Sequence, residues 1–137
     1  MARAKRKPYP ALTDRVLGDA SWFLSHAMAL EDQRKVDESA AEYGRAAECA
    51  EQAACLLDAD KQHLEAAIHR VSAASCFEKI GQYTRAVTLF HAALAATLRD
   101  DYRRTVEKLL ADCLFKAKKE VRRSSARQAR KPAAATR

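Results

Sequence analysis

Apolar residues recur every three or four positions along most of this 137-residue chain, the spacing of side chains on one face of an α-helix. Only three glycines and three prolines interrupt the pattern. β-branched residues are scattered rather than grouped in runs, which is unfavourable for strands. The length suits one domain with a hydrophobic core. The sequence therefore predicts a single all-α domain.

The spacing predicts five helices, and residues that favour caps or turns bound them. Their expected extents are roughly 13–30, 37–57, 58–81, 83–97 and 100–121. The second helix is rich in alanine, so a neighbouring backbone can come close to it, and we expect it in the middle of the fold. The short break after Gly81 leaves room only for antiparallel packing.

The charge of the chain is divided between an acidic body and basic ends. Residues 1–7 carry +4 and residues 116–137 carry +8, whereas residues 8–115 carry −5, which accounts for the total of +7. Pro8 and Pro10 favour an extended lead-in, and the apolar spacing ends after Val121. We therefore divide the chain into a basic extended segment (1–12), a helical domain (13–121) and a basic tail (122–137) that is predicted to be disordered.

A run across the third and fourth predicted helices has the spacing of a known helical repeat. The residues concerned are Ala74, Phe77, Gly81, Tyr83, Ala86, Phe90 and Ala93. This run resembles a tetratricopeptide repeat, and the stretch from about 62 to 95 covers one such repeat. A shift of 46 residues makes the first hairpin look like a degenerate copy, with Lys35 at the turn glycine, Asp37 at the tyrosine and Gly44 at the second aromatic. The fifth helix resembles the capping helix of such arrays.

The resemblance implies a protein-binding adaptor or assembly subunit. In such repeats the first helix of each hairpin lines a concave surface where partner segments lie. The residues at those positions here are Ser21, Ser25, Gln62, Glu65, His69 and Arg70. Because a short array leaves apolar flanks, a second copy of the chain could also cover them.

A second family competes for the first hairpin. Asp32 followed by Ala40, ahead of a long alanine-rich helix, is similar to microtubule-interacting and trafficking domains, which are three-helix bundles that accept a partner helix. The turn glycine of that family is missing, and Tyr43 lies one residue early.

Catalytic and metal-binding patterns have little support in the sequence. The four histidines show no His-x-x-x-His spacing and no evident carboxylate partner, and the four cysteines form no Cys-x-x-Cys pair. Three isolated glycines cannot build a phosphate-binding loop. We therefore predict no enzyme activity, no cofactor and no metal site, with the cysteines as free thiols in the core.

The basic tail is the main candidate for binding nucleic acid, as an alternative function within a nucleic-acid or ribonucleoprotein complex. The phosphate-binding candidates are Arg122, Arg123, Arg127, Arg130 and Lys131 in the tail, together with Lys116, Lys118 and Lys119 just upstream of it. The longest uncharged runs are too short for a membrane span, and the basic N-terminus is not followed by an apolar signal segment. These observations predict a cytoplasmic protein.

Overall fold

The computed structural model describes residues 9–130, and every regular element in that range is an α-helix. They are α1 (Ala11–Asp32), α2 (Val36–Ala59), α3 (His63–Lys79), α4 (Tyr83–Leu94) and α5 (Asp100–Arg130). The helices pack chiefly on their neighbours in sequence, so α2 lies between α1 and α3. The prediction of an all-α fold with five helices is confirmed.

The same turn connects α1 to α2, α2 to α3 and α3 to α4. In each, one residue has a positive φ: Arg34 (60°), Lys61 (60°) and Gly81 (80°). The amide of the following residue donates to a carbonyl five positions back, with N···O distances of 3.0, 2.8 and 2.9 Å. The positive-φ residue donates to a carbonyl three positions back. This is the Schellman motif, which satisfies the last carbonyls of a helix and reverses the chain within three residues.

The turns also fix how the two hairpins correspond. Arg34 in the first hairpin matches Gly81 in the second, which is a shift of 47 residues. With this shift, buried Tyr43 falls on buried Phe90, and Ser39 falls on Ala86. The shift of 46 predicted from the sequence is therefore one residue short. The shift of 46 aligned Gly44 with the second aromatic residue, Phe90, and Lys35 with the turn glycine, Gly81.

Alanines and two phenylalanines form the centre of the main core. Phe77 and Phe90 are 1% and 0% exposed, and they belong to one cluster with residues of α1, α2, α4 and α5. Ala47 and Ala74 are fully buried in the same cluster. Small side chains at these places let helix backbones approach closely, as the composition of α2 predicted.

Several predicted helix ends differ from the structure. Thr13 is not an N-cap, because α1 begins at Ala11 and Thr13 is a buried helical residue. Lys35 occupies the N-cap position of α2 instead of Asp37, and its side chain makes no capping hydrogen bond. α3 begins at His63, since the turn occupies residues 60–62. α4 ends at Leu94, where the Arg103 guanidinium donates to the Leu94 carbonyl at 3.2 Å.

Helix α5 continues nine residues past the predicted start of the tail, to Arg130. Residues 122–130 are helical in the structure, whereas the sequence predicted a disordered segment there. Alanine, arginine and glutamine are good helix formers, and no proline occurs between Pro10 and Pro132, so helix can continue without an apolar face. The rest of the predicted tail and most of the N-terminal segment lie outside the described residues. None of the helices within 9–130 is long and apolar enough to cross a membrane.

Two glycines should respond in opposite ways to the same substitution. Gly81→Ala is expected to lower the free energy of unfolding by about 1 kcal/mol, because a φ of 80° is unfavourable for a residue with a Cβ. Gly18→Ala is expected to raise it by about 0.5–1 kcal/mol, because Gly18 is inside α1 and an added Cβ meets no atom within 4 Å. Urea unfolding followed by circular dichroism measures both. Equal effects of the two substitutions would contradict this explanation.

Candidate interaction surface

One face of the molecule is formed by α1, α3 and α5. Two large apolar side chains of α3 are exposed to solvent on this face. Leu64 is 51% exposed and Ile68 is 42% exposed. Both belong to the apolar spacing of the third predicted helix. They stay uncovered because α3 buries its opposite side, including Ala66 and Ala73, as it packs between α2 and α4. We call the surface around Leu64 and Ile68 the open face.

A depression lies between α3 and the start of α5 on the open face. Its volume is about 490 Å³, and its lining comprises Leu64, Ile68, Arg99, Asp101, Tyr102 and Thr105. The Arg99 guanidinium donates to both Asp101 oxygens, at 3.3 and 2.9 Å. The Tyr102 amide donates to Asp101 at 2.8 Å. This network lowers the pKa of Asp101, chiefly through the bond to Arg99, so the rim carries an exposed ion pair beside an apolar floor.

A second depression lies on the other side of Ile68, between α3 and α1. It has a volume of about 280 Å³ and is lined by Tyr9, Leu17, Ser21, Glu65, Ile68 and His69. Burial lowers the pKa of His69, partly offset by the nearby Glu65 carboxylate. A neutral imidazole can both donate and accept a hydrogen bond. Ile68 belongs to both depressions, so they form one continuous surface across α1, α3 and α5.

The structure brings together three of the six predicted partner-binding residues, Ser21, Glu65 and His69. Ser25 is exposed on α1 outside both depressions, and Gln62 is the exposed N-cap residue of α3. Arg70 is turned away from the open face, because its guanidinium donates to Asp58 at the end of α2. The side of the surface at and just before the start of α5 was not predicted from the sequence; it is contributed by Arg99, Asp101, Tyr102 and Thr105.

Leu64 and Ile68 could have been recognised from the sequence. On a helical wheel they lie opposite Ala66 and Ala73, and in this fold the small residues mark the buried side. Two large apolar residues that lie outside the arc of small residues on the helical wheel therefore indicate an exposed apolar surface. No comparable signal marks the α5 residues, since their position depends on the 95–99 connection.

The pairing of Arg70 with Asp58 predicts a pH-dependent contribution to stability. The pKa of Asp58 is lowered, first by the hydrogen bond from Arg70 and then by His63, whose Nδ1 lies 2.8 Å from Asp58 Oδ1. A lowered folded-state pKa stabilises the fold above the unfolded-state value and is lost as the pH falls through the folded-state value. Wild type should be about 1 kcal/mol more stable than Asp58→Asn near pH 7.

That difference should shrink as the pH falls from about 5 to about 3, near and below the ordinary aspartate pKa. Urea unfolding of both proteins at each pH measures it. Asp60→Asn serves as the matched control, because Asp60 is exposed on the same turn and forms no ion pair within residues 9–130. A difference that stays constant down to pH 3 would contradict the assignment.

The predicted phosphate-binding residues up to Arg130 lie on α5, and Lys131 lies outside the described residues. All seven described residues are exposed. Lys116 donates to Glu78 of α3 at 2.7 Å, so its charge is already matched. Arg127 lies 4.0 Å from Glu120. The other five are Lys118, Lys119, Arg122, Arg123 and Arg130.

The cysteines and histidines differ in part from the sequence predictions. Cys76 and Cys113 are buried, which raises the pKa of each thiol to about 11, whereas Cys55 is exposed rather than in the core. Two histidines do approach carboxylates, His63 at Asp58 and His26 at Glu42, the latter at 3.2 Å. Both carboxylates belong to α2, whereas the histidines belong to α1 and α3, and sequence spacing alone does not reveal such contacts between helices. Between residues 9 and 130, no cluster of three or more ligand-type side chains could hold a metal.

Comparisons of the chain with known protein families, with curated proteins and with solved structures find no match. The fold and the open face define a class of protein in general terms only: an all-α chain of helical hairpins.

Proposed function

We propose that this protein is a non-enzymatic interaction module that holds a segment of a protein partner on its open face. The observation that carries the proposal is the exposure of Leu64 and Ile68 side by side on α3, flanked by a depression on each side. Apolar side chains grouped beside concave, partly polar surface are typical of binding sites.

The packing of α3 supports this use of the open face. Residues on its opposite side are held between α2 and α4, so Leu64 and Ile68 project from a rigid element. A rigid surface loses little conformational entropy when a partner binds. If the chain is tetratricopeptide-like, the open face corresponds to the concave surface formed by the first helix of each hairpin.

The chemistry of the face indicates what the partner segment should carry. The apolar floor takes apolar side chains, one near Leu64 and Tyr102 and another near Ile68 and Leu17. His69 and the hydroxyl groups of Ser21 and Thr105 can hydrogen-bond to the backbone or polar groups of the segment. The expected partner segment is therefore amphipathic.

An affinity-capture experiment with matched variants tests the proposal. The protein and a double variant, Leu64→Asp with Ile68→Asp, are used as bait in the same extract, and bound proteins are quantified by mass spectrometry. We expect at least one protein to be captured by wild type and lost with the double variant, because two carboxylates would be desolvated against its apolar side chains.

Val36→Asp is the control, because Val36 is 72% exposed on α2 and lies outside both depressions of the open face. It should capture the same proteins as wild type. Circular dichroism establishes that all baits are folded. Capture that is unchanged in the double variant would contradict the proposal.

A further inference from the structure

The last part of α5 extends beyond the body of the protein. Cys113 is the last buried residue, Ala117 is half-buried, and every side chain from Lys118 to Arg130 is exposed. Thirteen helical residues span about 20 Å at 1.5 Å per residue. We call residues 118–130 the α5 extension. It is a single helix that presents all its sides to solvent.

Basic side chains are concentrated on one side of the α5 extension. Lys119, Arg123, Arg127 and Arg130 are spaced at i, i+4, i+8 and i+11, so they fall within an arc of about 80° on the helix surface. We call these four residues the basic row. Lys118 and Arg122 lie outside the row, to one side of it. Glu120 is the only acidic residue in the extension.

The charges of the basic row repel one another, and Glu120, which lies 4.0 Å from Arg127, offsets that repulsion at one member of the row. Like charges four residues apart on a helix repel one another, and Lys119, Arg123 and Arg127 form two such pairs. The attraction between cations and the C-terminal end of a helix offsets part of this repulsion, but only within the last turn. A row of anionic groups beside the helix would remove the repulsion and match its charge.

We propose that the α5 extension binds the phosphates of duplex DNA, without sequence preference, through the basic row. This inference concerns a different surface from the open face and does not depend on it. Guanidinium groups bind phosphate in a bidentate manner, and positions four apart recur every 6 Å or so along the helix.

The shape and composition of the α5 extension favour duplex DNA over other nucleic acids. A lone helix is about 10–12 Å wide, close to the ~12 Å width of the major groove of B-form DNA. The major groove of an A-form RNA duplex is too narrow for it. Single-strand binding relies on base stacking with aromatic side chains, and no aromatic residue occurs from 116 onward.

Fluorescence anisotropy tests the proposal by measuring binding to a labelled mixed-sequence DNA duplex across a range of salt concentrations. Two variants of equal net charge are compared with wild type. Arg123→Ala with Arg127→Ala removes two members of the basic row. Lys118→Ala with Arg122→Ala removes two charges outside it. The first variant should weaken binding about tenfold and reduce the slope of log K against log salt by about 2. The second should change both much less.

A third variant separates the helical row from charge alone. Ala126→Pro keeps every charge but breaks the helix between Arg123 and Arg127, so it should also weaken binding. The substitutions in all three variants lie beyond the core, and circular dichroism checks that the body remains folded. The double variant of the open face, Leu64→Asp with Ile68→Asp, should bind DNA with the salt slope of wild type.

Three results would overturn the proposal. One is equal weakening by the two charge-matched variants, which would indicate that net charge alone binds. Another is wild-type affinity of Ala126→Pro, which would show that the helix is unnecessary. The third is tighter binding to duplex RNA, single-stranded DNA or anionic vesicles than to duplex DNA at the same salt concentration.

Discussion

The substitution Phe90→Ala is expected to lower the free energy of unfolding by about 3–5 kcal/mol. Phe90 is fully buried on α4 and belongs to the main core cluster together with residues of all the other helices. Removing the ring takes away its apolar transfer energy and leaves a cavity, because the surrounding helices can close it only in part. Urea unfolding at constant pH, followed by circular dichroism, gives the value.

Phe115→Ala is the matched control for this prediction. The same atoms are removed, but Phe115 is 69% exposed on α5. The expected change is within about 0.5 kcal/mol. If both substitutions destabilised the protein equally, or if Phe90→Ala cost less than 1 kcal/mol or so, the described core would be wrong.

The second large effect is expected from adding volume where helices approach closely. Ala47→Leu should lower the free energy of unfolding by about 1–3 kcal/mol or more, because Ala47 is fully buried within the core cluster and a larger side chain must displace its neighbours. In the first hairpin this alanine lies on the central helix α2, which packs against both α1 and α3.

Ala41→Leu provides the comparison on the same helix. Ala41 is exposed on α2. Leucine and alanine have similar helix propensities, so the expected change is within about 0.5 kcal/mol. The same unfolding measurement is used. A cost at position 41 that equals the cost at position 47 would contradict the packing described for α2.

The number and order of the helices could be predicted from the sequence because their apolar spacing is regular. Their ends were harder to place. At Gly81 the turn has the residue that a positive φ favours, but the same turn at Arg34 and Lys61 uses long basic residues instead. Asp37 and Asp58 were the predicted starts of the second and third helices, yet the turn geometry rather than a side-chain cap determines where α2 and α3 begin. The one-residue error in the repeat shift has the same origin.

The candidate sites could be predicted only in part. Ser21, Glu65 and His69 were found from their place in the hairpins, and the structure brings them together. Leu64 and Ile68 fit the apolar spacing of the third helix, and only their position opposite the small residues Ala66 and Ala73 distinguishes them from core residues. Residues 122–130 have too little apolar content to predict a packed helix, and the structure extends α5 through them without packing them on the body.

Photo-crosslinking from the open face is the most direct test of the central claim that this face binds a protein partner. A photoreactive amino acid is placed at position 68, in the middle of the face, or at position 36, an exposed site on α2 away from the face. After irradiation in cell extract, crosslinked proteins are identified by mass spectrometry. We expect a defined partner to be crosslinked from position 68 and not from position 36. The same proteins crosslinked equally from both positions, or none from position 68, would contradict the claim.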